Sequence, residues 1–346
     1  MSRRETELVS VVAPVYNERD VIGEFYGRVD AALSGIAFEL ILVDDGSTDG
    51  TAAVLAELAA RDDRVRVITL SRNFGHQAAL TAGLDHARGD PVAMLDADLQ
   101  DPPELIPEML EEWRAGAEVV FALRDTRAGE TRFRLAMIRW FYKLFSRLSE
   151  VDLPNSGDFR LVDRAALNAL LAMRERNRFL RAMTVWVGFK RTSITYQRDP
   201  RFAGESKYTY RRLVRFSIDA ITSFSHLPLQ AATLLGVIFS VVAFLGIPVA
   251  IGFRVAGEFV PGVTTVLLVV LLLGGVQLIT VGIIGEYLGR VYEEVKGRPL
   301  YLVRERSNFG SGPAPADALS PFETEGGPAD LVDQVPGPRA QRGTNA

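Results

Sequence analysis

Two long stretches without a charged residue constrain this chain of 346 residues more than any other feature. They run from Leu227 to Phe253 and from Phe259 to Gly285. Each reaches the length of about 20 apolar residues that a helix needs to cross a bilayer. We therefore predict a transmembrane hairpin over residues 226–286, with helices at about 227–253 and 260–285.

Basic residues lie at the outer ends of this predicted hairpin. Its short connector has one basic residue, Arg254, whereas the flanks carry Arg211, Arg212 and Arg215 before it and Arg290, Lys296 and Arg298 after it. Because positive loops stay on the cytoplasmic side, we expect both flanks and both termini there. The sequence thus predicts a multi-pass protein of the plasma (inner) membrane.

Residues 1–225 have the mixed composition of a globular domain and are expected to face the cytoplasm. Apolar runs that end at Val15, Val43, Leu70 and about Leu95 alternate with helix-like segments, and a further run ends at Arg124. This alternation predicts an α/β domain with a doubly wound, mostly parallel sheet. Ligands of such sheets bind outside the carboxyl ends of the strands, where the motifs PVYNE, DDGSTD, DADLQD and LRDTR follow.

The remaining segments have distinct patterns. Residues 132–148 and 207–224 form basic amphipathic stripes, which suit either ordinary domain helices or helices in a membrane interface; the second is favoured as interfacial. Residues 287–306 form a short cytoplasmic segment in which Pro299–Val303 could add as an edge strand to a neighbouring subunit of a homo-oligomer. Residues 307–346, rich in Pro and Gly, are predicted to be disordered.

The amino-acid composition limits the kinds of functional site that the chain can form. The chain has no cysteine, which excludes disulfides and thiolate sites, and only three histidines. A net charge of -4 gives no global signal for nucleic acid. The middle of the chain, from Arg124 to Arg215, has 21 Lys and Arg against 9 Asp and Glu. This basic segment beside acidic loops favours anionic ligands and a membrane surface.

The acidic loop DADLQDPPE directly follows the apolar run PVAML. In an extended chain Asp96 and Asp98 lie on the same side, and Asp98 and Gln100 could both reach a metal. Hard cations such as Mg²⁺ or Mn²⁺ prefer these oxygen ligands and bridge them to a diphosphate. The alternative is that these acids are solvated and only cap helices, but a second acidic turn at Asp44-Asp45 makes the metal site the favoured interpretation.

Six motifs in this order resemble one family: VVAPVYNE, DDGSTDGT, SRNFGHQAAL, DADLQDPPE, SGDFRL and RFAGESKY. They are similar to family-2 glycosyltransferases with the GT-A fold, and more narrowly to those that use polyprenyl phosphates. That group includes bactoprenol glucosyltransferases, the undecaprenyl-phosphate aminoarabinose transferase and dolichyl-phosphate mannose synthases. The resemblance covers about residues 7–306. It implies a sugar nucleotide donor and a lipid phosphate acceptor, and it leaves the sugar open.

The resemblance also implies roles for individual residues. It places the metal on Asp96, Asp98 and Gln100, and it gives Asp158 the position of a catalytic base or acceptor-site acid. The residues implied to contact the nucleotide or its phosphates are Pro14, Tyr16, Asn17, Glu18, Asp44, Asp45, Arg72, Gly75, Asp96, Arg201, Ser206 and Lys207. Of the histidines, only His76 lies in a crevice loop, where it is assigned at most a nucleotide contact, and none is assigned a catalytic role.

The negative charge of the lipid phosphate acceptor indicates one more set of candidate site residues. A lipid phosphate is largely a dianion at neutral pH and needs positioning more than deprotonation. The guanidinium group of arginine can donate two parallel hydrogen bonds to phosphate oxygens. The candidates for binding the acceptor phosphate lie at the end of the fifth predicted strand and after it, and they are Arg124, Arg127, Arg132 and Arg134.

We therefore expect a membrane-bound inverting enzyme that moves a sugar from a UDP-sugar to undecaprenyl phosphate. Two alternatives stay open, namely a synthase that uses GDP-mannose and a catalytically inactive membrane scaffold.

Overall fold

The computed structural model describes residues 8–124, 156–196, 227–255 and 262–309. Its centre is one sheet of eight strands in the order β7-β5-β6-β4-β1-β2-β3-β8. The strands are β1 (Val9–Val15), β2 (Phe38–Asp44), β3 (Val65–Leu70), β4 (Pro91–Met94), β5 (Val119–Arg124), β6 (Ser156–Asp163), β7 (Arg191–Tyr196) and β8 (Val303–Ser307).

The first five strands lie where the apolar runs of the sequence predict them. Strands β1, β2, β3 and β4 pair in parallel, and β2 is buried along its whole length. A parallel strand covered on both faces reads as a nearly continuous apolar run, which explains why the sequence identifies these strands. The predicted α/β fold is confirmed, with a mixed sheet in which four of the seven described strand pairs are parallel and three are antiparallel.

Three strands were not predicted from the sequence. Strand β6 lies between β4 and β5 and is antiparallel to both, while β7 pairs in parallel with β5. Strand β8 pairs antiparallel with β3 of the same chain, and it overlaps the end of the segment Pro299–Val303 that could have served a neighbouring subunit. The backbone N–H of Ser71 also donates to the carbonyl of Leu302.

Within the described part of the sheet domain, six α-helices connect and flank the strands. They are α1 (Ile22–Ala32), α2 (Thr51–Arg61), α3 (His76–His86), α4 (Ile106–Arg114), α5 (Arg164–Ala172) and α6 (Leu180–Trp186). Helix α3 lies tightly on the sheet, since a Cβ added at Gly83 would stand 2.3 Å from a methyl carbon of Val12. Helix α3 therefore packs directly against β1 and β2.

Two long helices follow the sheet domain, α7 (Leu227–Val255) and α8 (Val263–Val295), and they contact each other. Within α8, the stretch Leu272–Val295 is long and apolar enough to cross a membrane, and none of it is buried in the chain. The apolar stretch of α7, Ala232–Gly246, is shorter. The described residues thus contain one candidate membrane helix, and a second crossing stays a prediction.

The segment after α8 returns to the sheet domain. The Tyr301 hydroxyl donates to Asp85 at 2.7 Å, and the side chain of Asn308 donates to the carbonyls of Ala59 and Val65 at 2.6 and 2.8 Å. Arg176 is within 3.2 Å of Glu293 near the end of α8. The apolar helix is therefore tied to the sheet domain at its C-terminal end.

Candidate active site

The functional side chains gather at the carboxyl ends of the parallel strands. Strand β6 runs the opposite way, so its first residues lie at the same edge. Its register pairs Arg160 with Met94, and continuing this register past the end of β4 sets Asp158 opposite Asp96. The sheet thus brings together two carboxylates that are far apart in sequence.

The loops after β1 and β2 are joined by hydrogen bonds between Asn17 and the Ser47-Thr48 turn. The backbone N–H of Asn17 donates to the Ser47 hydroxyl at 3.0 Å, and Thr48 N–H donates to the Asn17 side chain at 2.8 Å. Asn17 has a positive φ of 56°. The neighbouring residue Tyr16 is 47% exposed.

The two aspartates at the end of β2 are buried and order the surrounding backbone. Asp44 accepts from Ser47 N–H at 2.9 Å, whereas Asp45 accepts from the N–H groups of Phe74 and Gly75 at 2.7 and 2.9 Å. Burial raises the pKa of Asp45, against the lowering effect of these two hydrogen bonds. Asp45 therefore fixes the loop that precedes α3.

Because Gly46 has no side chain, the loop after β2 can lie directly against the loop after β3. The φ of Gly46 is +73°, and an added Cβ would lie 2.7 Å from the backbone carbon of Arg72. Gly75, with a φ of +98°, is the residue before α3. The guanidinium of Arg72 stacks on Phe74 at 4.4 Å. The residues predicted to lie near the nucleotide are thus brought together by backbone contacts.

The loop after β4 contains the predicted metal ligands. Asp98 accepts from the N–H of Gln100 at 3.1 Å, and Leu99 between them has a φ of 60°. The side chain of Gln100 is buried, and its Oε1 has no hydrogen-bond partner among the described residues. Asp101 is fully buried and accepts from the Tyr196 hydroxyl, which anchors the end of the loop.

The centre of the site is a group of His76, Asp96 and Asp158. One potential ligand atom of each lies within 4.8 Å of the others. His76 Nε2 is 3.2 Å from Asp158 Oδ2 and 3.5 Å from Asp96 Oδ1. The His76 side chain is 40% exposed to the crevice, while that of Asp158 is only 15% exposed.

The charges of this group depend on one another. Burial lowers the pKa of His76, but the hydrogen bond to Asp158 and the charge of Asp96 raise it overall, to about 9. Water reaches the exposed part of the ring and screens some of this effect. Burial raises the pKa of Asp96 to about 6. Burial acts in the same direction on Asp158, but Arg181, His76 and Arg160 hold its pKa well below the usual range.

Arg160 lies behind Asp158 and is completely buried. Its NH2 donates to Asp158 Oδ1 at 2.8 Å, and Arg181 NH2 is 3.6 Å from the same oxygen. Burial lowers the pKa of Arg160 to about 10, so the guanidinium remains charged at neutral pH. Asp158 is therefore an ionised carboxylate with cations on two sides.

The donors at this edge fit a hard divalent cation. Asp96 and Asp98 offer carboxylate oxygens, and the unpartnered Oε1 of buried Gln100 is the kind of oxygen that a metal would satisfy. His76, Asp96 and Asp158 form a second donor group that shares Asp96 with the first. The site could therefore bind a divalent metal through Asp96 and neighbouring oxygens.

The structure places most of the predicted site residues on this edge. Pro14, Tyr16, Asn17, Glu18, Asp44, Asp45, Arg72 and Gly75 lie at the ends of β1, β2 and β3, and Asp96, Asp98 and Gln100 follow β4. Arg124 is the last residue of β5. Six predicted residues lie outside the described residues, namely Arg127, Arg132, Arg134, Arg201, Ser206 and Lys207.

Sequence reasoning did not find the full role of three residues. His76 was expected to contact the nucleotide at most, yet it touches both Asp96 and Asp158. Its position right after Gly75, at the start of the helix that follows the buried strand β3, was the available signal. Arg160 and Arg181 were not identified as site residues, because their nearness to Asp158 comes from the pairing of β6 and the packing of α6.

The sheet and the carboxylates gathered at one edge define an α/β protein whose ligand site lies at the carboxyl ends of its parallel strands. Comparisons with known proteins make this specific. Residues 10–171 match the model of Glycosyl transferase family 2. The chain is 44% identical over 300 residues to the uncharacterized glycosyltransferase YkcC of Bacillus subtilis (strain 168), covering 86% of this chain and 93% of that protein.

A second relative is the SfII prophage-derived bactoprenol glucosyl transferase of Shigella flexneri. The two chains are 40% identical over 301 residues, which is 86% of this chain and 97% of the relative. Among solved structures, the glucosyl-3-phosphoglycerate synthase from Mycobacterium tuberculosis has a TM-score of 0.43 and 20% identity, covering 66% of this chain and 78% of that one.

The chain belongs to glycosyltransferase family 2, in the group that includes the bactoprenol glucosyl transferases. It is a glycosyltransferase, as its sequence motifs predict.

Proposed function

We propose that this protein is a membrane-bound inverting glycosyltransferase that moves a sugar from a UDP-sugar to undecaprenyl phosphate, or a similar polyprenyl phosphate. The sugar is glucose or another hexose or aminosugar. The product is the polyprenyl-phosphate sugar, made on the cytoplasmic face of the plasma (inner) membrane.

One observation carries this proposal, the 40% identity to a bactoprenol glucosyl transferase across 86% of the chain. An alignment of that length extends well past residue 171, where the family model ends, and takes in the region of α7 and α8. The likeness therefore includes the apolar helices as well as the sheet. It supports a lipid acceptor and a two-helix membrane hairpin.

The geometry at the sheet edge supports the reaction. An acceptor phosphate is already a nucleophile, so the site must mainly hold two anionic substrates together. We assign the nucleotide to the loops after β1, β2 and β3, where Tyr16 offers an exposed ring. The acceptor phosphate is assigned to Arg124 and to the basic residues that follow it, Arg127, Arg132 and Arg134.

The ionised Asp158 lies where β6 begins, beside the cationic His76. In the proposal its negative charge orients the acceptor and stabilises positive charge that develops on the sugar, rather than removing a proton. His76 holds the carboxylate from the crevice side. Arg201, Ser206 and Lys207 are assigned to the donor phosphates.

Asp96, Asp98 and Gln100 are the proposed ligands of Mg²⁺ or Mn²⁺. When bound, the metal supplies positive charge that stabilises the diphosphate leaving group. Direct displacement by the acceptor phosphate then gives inversion at the anomeric carbon.

The test uses purified protein in detergent with undecaprenyl phosphate, Mg²⁺ or Mn²⁺, and radiolabelled UDP-sugars and GDP-mannose. Label should move into the organic phase from one UDP-sugar, and the anomeric configuration of the product should be opposite to that of the donor. Asp98→Ala should abolish transfer. Glu104→Ala in the same loop is the matched control, since Glu104 pairs with Arg28 at 2.7 Å.

Three results would contradict the proposal. Transfer from GDP-mannose alone would favour the mannose synthase alternative. Retention of the anomeric configuration would exclude direct displacement. Binding of a sugar nucleotide without any transfer to the lipid would favour a scaffold or a different acceptor.

A further inference from the structure

Arg160 occupies an unusual place for a charged residue. It lies in the middle of β6, opposite Met94 of β4 and Phe121 of β5, and no part of it is exposed. Moving a guanidinium into a sheet interior costs several kcal/mol, which hydrogen bonds and an opposite charge must offset. Leucine would fill such a position at lower cost, so the contacts of Arg160 need an explanation beyond stability.

The partners of Arg160 come from two elements. Within β6, it donates to Asp158 Oδ1 at 2.8 Å and to the Asp158 carbonyl at 3.3 Å. From α6, it donates through NH1 to the carbonyl of Leu180 and to the hydroxyl of Thr184, both at 3.1 Å. The Thr184 hydroxyl itself donates to the Leu180 carbonyl at 2.6 Å. Helix α6 thus sets the orientation of the guanidinium.

The same helix is fixed to α3. The N–H of Leu180 donates to the side-chain oxygen of Gln77 at 3.0 Å. Gln77 follows His76, whose Nε2 lies 3.2 Å from Asp158 Oδ2. The contacts therefore close a ring that runs from Asp158 through Arg160, the first turn of α6 and the first turn of α3 back to Asp158.

Both oxygens of the Asp158 carboxylate are held by this ring. Oδ1 meets Arg160 and Oδ2 meets His76, so the plane of the carboxylate is set from two sides. We propose that Arg160 and Thr184 are positioning residues that fix the Asp158 carboxylate for sugar transfer, acting from α6 through this ring. The inference rests on the proposed function, in which Asp158 faces the reacting sugar.

Thr184→Val tests the ring with the least damage, since it removes the hydroxyl and keeps the volume. Thr184→Ser restores the hydroxyl and should restore most of the rate. Thr81→Val is the matched control, because Thr81 is also buried and its hydroxyl donates to the carbonyl four residues earlier, that of Gln77, at 2.7 Å. It lies on the helix that carries His76, which makes the control stringent.

We expect the substitution of Thr184 to lower kcat and to leave substrate binding nearly unchanged. For Thr184→Val, kcat per donor-binding site, counted by calorimetric titration with the sugar nucleotide, should fall between about tenfold and about 100-fold. The KM values for donor and acceptor should stay within about twofold, because binding is not the step affected. Thr81→Val should keep the wild-type kcat. If Thr184→Val does not fold, Arg160→Lys carries the same measurements.

A second readout does not depend on activity. The chain has three histidines, so ¹³C labelling of the histidine ring carbon gives few signals, and His76→Gln assigns one of them. At fixed pH, Thr184→Val should shift the His76 signal and Thr81→Val should not.

The two readouts separate the two claims. If the wild type transfers no sugar but the His76 signal responds as expected, the proposed function fails and the ring stands. If the wild type is active, and Thr184→Val leaves both kcat and the His76 signal unchanged, the positioning role is wrong. Equal effects of Thr184→Val and Thr81→Val on both readouts would also overturn it.

Discussion

His76 Nε2 lies 3.2 Å from Oδ2 of Asp158, and the two residues come from a helix start and a strand that are adjacent only in the folded sheet. The pair sets an imidazole and a carboxylate side by side at the floor of the crevice. The hydrogen bond to Asp158 favours the cationic ring and raises the pKa of His76, so in the proposed reaction His76 supplies positive charge near the anionic substrates.

His76→Gln should therefore lower kcat for sugar transfer by about tenfold or more, since a fixed charge near the reacting groups is lost. His86→Gln is the control on the same helix, because His86 is buried at its other end and bonds the Ala82 carbonyl. It should change stability but not kcat per folded enzyme. Wild-type kcat in His76→Gln would show that the pair has no part in transfer.

The acidic loop gives a prediction for metal binding. Asp98→Asn should weaken Mn²⁺ binding by more than about tenfold, measured by electron paramagnetic resonance of free Mn²⁺. Asp158→Asn should leave the affinity nearly unchanged, because Arg160 and His76 already engage that carboxylate. The opposite order would move the metal to the group of His76, Asp96 and Asp158.

Gly46→Ala should damage the nucleotide loops. Its Cβ would stand 2.7 Å from the Arg72 backbone, at a φ of +73°. Gly35→Ala is the matched control, since Gly35 has a φ of +81° and nothing within 4 Å. Gly46→Ala should cost about 1–3 kcal/mol more than the control, measured by denaturant unfolding, and should weaken donor binding. Equal losses of unfolding free energy in the two variants would mean that the Arg72 loop moves to accommodate the added Cβ.

The lowered pKa of Asp62 predicts that the folded protein loses stability in acid. Hydrogen bonds from Arg64, opposed by burial and aided by Tyr26, lower the pKa of Asp62 to about 2 from the ordinary 3.8. A folded-state pKa below the unfolded value adds stability above the unfolded pKa, and this is lost as pH falls towards 2. The contribution is about 1–2 kcal/mol.

The check compares Asp62→Asn with Asp63→Asn, whose side chain is exposed. The melting temperature of Asp62→Asn should depend less on pH between about pH 4 and about pH 2 than that of the wild type. Asp63→Asn should follow the wild type. A parallel pH dependence in all three proteins would rule out this role for Asp62.

Asn308 anchors the segment after α8 to the sheet domain through its side chain, and its backbone has an unusual conformation. It has a φ of 63° and donates to the carbonyls of Ala59 and Val65. Asn308→Ala should destabilise the protein by about 1–3 kcal/mol through lost hydrogen bonds and backbone strain. Asn308→Gly removes only the hydrogen bonds and should cost less. Thermal unfolding measures both, and identical values would show that strain contributes nothing.

The parts predictable from sequence are those that local pattern determines. Strand β2 is buried along its whole length, and its apolar run from Leu40 to Val43 leads directly into the acidic turn at Asp44; the run that ends at Leu95 leads in the same way into Asp96. Ends of parallel strands share an edge, so the location of the crevice follows from the pattern alone.

The remaining parts depend on pairing between distant segments. Strand β6 enters between β4 and β5, and nothing in the letters SGDFRL reveals that order. The same insertion buries Arg160 and brings Asp158 to His76. Arginine in a strand usually faces water, so sequence reasoning has no reason to consider it a buried partner of Asp158.

The strand after α8 has a consequence for how the protein is made. Asn308 reaches back to Ala59, 249 positions earlier, and β8 completes the edge of β3. During synthesis that edge stays open until both apolar helices have left the ribosome. A nascent chain can therefore complete this edge of its sheet only after both apolar helices have been synthesised, so the catalytic domain is the last part of the described chain to be finished.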